Sequence, residues 1–81
     1  MVQELVEAYQ GVIASVIRLS VSEDTREPRH SVMLALGHLR DVCLSAEPSA
    51  EVTKLANWCG EMIAVLTLDA RLESLQHLET N

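Results

Sequence analysis

The chain has 81 residues and a formal net charge of −6, and 48% of it is hydrophobic. That length fits one small domain, independent cores usually needing about 50 to 200 residues, and so apolar a composition argues against intrinsic disorder. Twelve acids against six bases disfavour nucleic acids and anionic membranes as partners, because both call for clustered Lys and Arg.

From residue 2 to residue 21, Val2, Leu5, Val6, Tyr9, Val12, Ile13, Val16 and Leu19 recur at intervals of three and four, the period of one face of an α-helix. In heptad register Val2, Tyr9 and Val16 fall at a and Leu5, Val12 and Leu19 at d, which ranks Tyr9 among the core positions. Gln3, Glu4, Glu7, Gln10, Gly11, Ser15 and Arg18 cover the other side, and Ile17 widens the stripe. Ser20-Val21-Ser22-Glu23-Asp24 combines weak helix formers without period and reads as a loop.

Thr25-Arg26-Glu27-Pro28 and, twenty residues on, Ser45-Ala46-Glu47-Pro48 share one punctuation. A hydroxyl can cap orphan amides, a Glu sits against the positive end of the helix dipole, and Pro is tolerated in the first turn. The pair predicts helix starts after Thr25 and after Ser45. The second helix then runs from about 26 to 44, with Val32, Ala35, Leu36, Leu39, Val42 and Cys43 as its stripe and Met33, Leu34 and Leu44 spilling around it. Such a wide apolar surface predicts a helix covered on more than one side. Gly37, which costs about 1 kcal/mol relative to Ala in a helix interior, suggests a close helix approach as compensation.

The third helix is expected from about 46 to 79 and carries two apolar stripes. Val52, Leu55, Cys59, Met62, Ile63 and Leu66 share one side, whereas Leu68, Leu72, Leu75 and Leu78 share another. At about 100° per residue the two are nearer to opposite than coincident. Either one continuous helix buries two faces against different surfaces, or the chain breaks near Thr67 and a fourth helix begins. The fold class is therefore all-α: a single domain over 1–81, an antiparallel three-helix bundle, or four-helix if that break occurs. A domain of this size buries only about 60% of its unfolded surface, so the leucine stripe is expected to be covered by self-association, helix 3 beside helix 3 in a homodimer.

Little in the chain suggests catalysis. His30, His38 and His77 have no metal-ligand spacing, and no H-E-x-x-H, C-x-x-C, phosphate loop or G-x-S-x-G is present. Glu47/Glu51 and Asp69/Glu73 read as solvated i,i+4 pairs. Gly37-His38-Leu39-Arg40-Asp41 resembles the phosphorylated-histidine segment of histidine phosphotransfer domains, which are small helical bundles. It departs from that pattern over these five residues, because the spacing from His38 to its Leu and Arg is one residue short and Asp41 stands where the family has Gly. No catalytic, cofactor-binding or metal residue is assigned, and no cofactor is expected.

Cys43 and Cys59 both sit inside apolar helical patterns. A secreted domain this small usually carries more cysteines, so two buried reduced thiols are expected, with a disulfide or metal pair as the alternative. The opening Met-Val-Gln-Glu-Leu lacks a basic n-region and no apolar run reaches the roughly 18 residues of a membrane span. A cytoplasmic protein is expected. Its expected function is stoichiometric binding of another protein, as an antiactivator, inhibitor or chaperone does, without enzymatic activity, nucleic acid or membrane. The expected interface residues are Leu68, Leu72, Leu75 and Leu78, with Trp58, which lies between the two stripes, and Tyr9 as aromatic anchors. Residues 61 to 81 carry Glu61, Asp69, Glu73 and Glu79 against Arg71, an acidic edge suited to partner selection. The alternatives are a transcriptional regulator or antitoxin touching DNA through Arg26, Arg29 and His30, and a structural subunit of a larger assembly.

Overall fold

Val32, Leu36, Leu39 and Cys43, spaced three or four apart, leave the second helix with one side that water cannot be allowed to reach. The computed structural model describes residues 2–79, with side chains described for residues 3–76. Three helices account for almost all of it: α1 (Val2–Val21), α2 (Arg26–Ser45) and α3 (Ala50–Glu79), with no strand among the described residues. α2 is central. It packs against α1 and against α3, while α1 and α3 make no close backbone approach to each other among the described residues. The core is the strip where these contacts meet: Ala8 and Val12 from α1, Val32, Leu36, Leu39 and Cys43 from α2, and Ala56 and Cys59 from α3. Small side chains at Ala8, Ala56 and Cys59 let the outer helices come close to α2. The expectation that α2 is covered on more than one side is met in this form, although Leu34 and Leu44 remain exposed.

The helix starts follow local chemistry that the shared Thr/Ser-x-Glu-Pro pattern predicts only in part. α2 begins where expected, but Thr25 makes no side-chain cap. Asp24 does the capping, its Oδ1 accepting from the Arg26 N–H at 3.1 Å, and the Thr25 hydroxyl accepts instead from the Arg29 guanidinium at 3.1 Å. α3 begins at Ala50 rather than near Ala46. Ser45 closes α2, Ala46 turns extended and donates back to the Cys43 carbonyl, and Glu47 precedes a proline, which disfavours helical backbone. The cap is Ser49, whose Oγ accepts from the Val52 N–H at 3.1 Å.

α3 does not break at Thr67. The helix is continuous, and the Thr67 hydroxyl donates to the Ile63 carbonyl at 2.8 Å, a bond within the helix rather than a cap for a new one. Gly37 also departs from expectation. A Cβ built there would meet nothing within 4 Å, so no neighbouring helix compensates for it.

Two substitutions should therefore act in opposite directions. Gly37→Ala should raise stability by about 1 kcal/mol, since it gains helix propensity without a clash. Leu39→Ala, at a fully buried position, should lower it by about 2–5 kcal/mol. Urea unfolding followed by circular dichroism checks both; a destabilised Gly37→Ala would show a close contact at that position.

Candidate interaction surface

The core uses only part of the apolar surface on the outer helices. On α1 the buried positions are Ala8 and Val12, with Leu5 and Leu19 packed beside them. Tyr9 is 46% exposed and is not a core residue. It follows Ala8 by one position, about 100° around the helix, and so reaches the edge of the packed side. Val6, Ile13, Val16 and Ile17 are exposed with it. The heptad reading centred the stripe on Tyr9 and Val12, whereas packing turns α1 toward the smaller Ala8.

On α3, Ala56 and Cys59 are buried and Val52, Leu55, Met62, Ile63 and Leu66 pack against the core. The later leucines do not join them. Leu68, Leu72 and Leu75 are 55%, 50% and 57% exposed, and Trp58 is 39% exposed; the side chain of Leu78 lies outside the described residues. Leu68 stands about 180° around the helix from Cys59, so this stripe is on the far side from the core. Val65, Leu68, Leu72 and Leu75 recur at intervals of three and four, and Trp58 stands seven residues before Val65 with Glu61 between them. That is the a/d spacing of a helix-pairing seam. Val65 was missed as a member because its neighbours Ile63 and Leu66 belong to the core face. The signal was present in the 65-68-72-75 spacing. A second one, Val6-Tyr9-Ile13-Val16, was present in α1.

Polar groups cluster where the 22–25 connection meets the start of α2 and the end of α3. They line an open cleft of about 1000 Å³ that includes Glu23, Asp24, Arg26, Arg29, His30 and Glu73. Both arginines there are already engaged. Arg26 pairs with Asp24 at 3.2 Å, a hydrogen-bonded contact that holds the Asp24 carboxyl below its usual range. The largely buried Arg29 pairs with Glu73. Arg26 and Arg29, two of the three residues suggested for DNA contact, are thus balanced by acids. His38 is exposed and lies by the α1–α2 seam with Glu4 and Glu7. Among the described residues no group of three His, Cys, Asp or Glu side chains is suited to a metal ion, and no helix is long and apolar enough to cross a membrane.

Cys43 and Cys59 are free and buried. Burial pushes both thiols up, and the nearby Cys43 adds to the effect at Cys59. They are held as protonated packing groups, since the reactive form is the thiolate. Comparison with known proteins finds no matching family, and neither a curated protein nor a solved structure matches the chain.

At neutral pH the two thiols should react with a disulfide reagent about 100-fold more slowly in the native protein than in denaturant, because access requires the core to open. A native rate close to the denatured one would place at least one thiol at the surface.

Proposed function

We propose that the chain is a small acidic regulatory or adaptor protein that acts by stoichiometric binding to another protein, in the manner of an antiactivator, inhibitor or chaperone, without catalytic turnover. The observation that carries this reading is the exposed stripe of Leu68, Leu72 and Leu75 on the side of α3 away from the core. Contiguous apolar surface of this kind marks interaction sites. Glu61 and Asp69 lie along the same helix against Arg71, and an acidic rim favours a basic groove by steering encounter. The engaged arginines at the start of α2 weigh against a DNA-binding role. The free thiols fit a reducing cytoplasm.

The helices form an antiparallel array that a homodimer completes. Two features support the direction of α2 against α3: the short 46–49 connection joins the end of one to the start of the other, and Arg29 near the start of α2 meets Glu73 near the end of α3. The 22–25 connection is equally short and suits an antiparallel α1–α2 neighbour.

Immobilised protein should retain one defined partner in fixed ratio from its native source, and Leu68→Glu with Leu75→Glu should lose it while keeping wild-type helicity. Random duplex DNA at low salt should leave fluorescence anisotropy unchanged. Partner retention by the double variant would remove the stripe from the interface, and appreciable DNA binding would replace the proposal with the regulator class.

A further inference from the structure

The leucine stripe of α3 is not the whole of the uncovered apolar surface. A compact monomer of 8.9 kDa should expose about 4800 Å². This chain exposes 6034 Å², about 1200 Å² more than that scaling allows. Its radius of gyration is 14.5 Å, against about 12 Å for a compact chain of this length. Two features contribute: among the described residues α1 and α3 each approach α2 and make no close backbone approach to each other, and the 30-residue α3 outruns the 20-residue α1 and α2.

The direction of the excess follows from the seams. On one side of α2, Ala35, His38 and Val42 meet Glu4, Glu7 and Gly11 of α1, so Val6, Tyr9, Ile13 and Val16 lie on the opposite flank of α1. On the other side, Arg29 and Met33 line a cleft with Ala70, Glu73, Ser74 and Gln76 of α3, and Trp58 and Val65 stand about 100° and 120° around α3 from the buried Cys59, on one flank of the face that packs on α2. For right-handed helices lying on either side of the α2 stripe, both flanks turn to the same open side of the molecule. Charge is almost missing there. The α1 flank from Val6 to Val16 holds no acid or base, and on α3 Leu55, Trp58, Met62 and Val65 form an apolar stretch between Glu51 and Lys54 at one end and Asp69 at the other, with Glu61 at its outer edge beside Trp58 and Val65.

We infer that this open α1–α3 side is the seat of a second copy of the chain, two copies meeting face to face about a two-fold axis with Tyr9, Ile13, Val16, Trp58 and Val65 at the centre. The inference rests on the homodimer proposed above and assigns its surface. Two considerations select a second copy as the occupant. Standard interfaces cover about 800 Å² per partner, and the excess of about 1200 Å² per chain, which also includes the Leu68, Leu72 and Leu75 stripe, is large enough to contain such a patch. A chain of net charge −6 also meets its own copy with least opposition of like charges across a side whose acids stand at the rim, as Glu61 does here. Tyr9 and Trp58 supply the aromatic anchors typical of such centres. Leu68 and Leu75 stand about 60° and 80° further around α3 than Val65, beyond this face, and stay free for another partner.

Sedimentation equilibrium on the full chain tests the assignment. Wild type should sediment at twice its chain mass, Ile13→Glu with Val65→Glu should dissociate at least about 100-fold more readily, and Leu68→Glu with Leu75→Glu should keep the wild-type mass. Trp58 provides a readout that needs no substitution. Diluting wild type through its dissociation should shift Trp58 emission to the red and increase quenching by acrylamide in step with the fall in mass. If the Ile13/Val65 variant fails to fold, that emission change decides the matter. A wild-type dimer whose Trp58 emission stays constant through dissociation, or that the Leu68/Leu75 change disrupts instead, overturns this face while leaving the homodimer standing. A wild type monomeric at every concentration overturns both.

Discussion

One strip of side chains along α2 holds the molecule together. Leu36 and Leu39 are fully buried, and Val32 and Cys43 nearly so, yet they are reached from two directions by helices whose backbones make no close approach to each other among the described residues. Each outer helix is therefore anchored along one side. Burying a Leu or Val contributes roughly 1.5–3 kcal/mol, so these few positions dominate the attachment of both neighbours. The same arrangement leaves the remaining apolar flanks of α1 and α3 uncovered. Surface available for binding is thus a direct consequence of how the core is built.

The polar contacts refine this arrangement without creating it. Arg29, mostly withdrawn from solvent, receives Glu73 and Thr25 as partners, which ties the last part of α3 to the start of α2. Glu73 is nearly half exposed, so the pair contributes on the order of 1 kcal/mol or less after solvent screening. Its consequence is positional. It holds the helix that bears Leu68, Leu72 and Leu75 against the body of the protein, with those side chains turned outward.

Much of this was legible from residue spacing alone. Period fixed the presence of three helices, the core face of α3 from Val52 to Leu66, and the separate side occupied by Leu68, Leu72 and Leu75. Spacing does not say which sector of a wide stripe is taken into the core. On α1, two overlapping registers were available, and the small Ala8 decided between them by permitting close approach, which left Tyr9 outside. The start of α3 was misplaced because Ser45 and Ser49 both precede acidic first turns, and only the backbone restriction at Glu47 before Pro48 separates them. Gly37 read as a contact because a helix-interior glycine usually has a packing reason; here it faces open space. The apolar surplus on α1 was hidden for the same reason as Tyr9, and it became visible only once the partners of α2 were known.

The central claim is that a single copy cannot cover the apolar surface its own fold presents. Urea unfolding of the wild-type chain at two protein concentrations 100-fold apart tests it most directly. Folding coupled to self-association stabilises the more concentrated sample by about 2.7 kcal/mol per dimer, and with a typical urea dependence of about 1–3 kcal/mol per molar the midpoint should rise by roughly one molar or more. Coincident unfolding curves at the two concentrations would contradict the account.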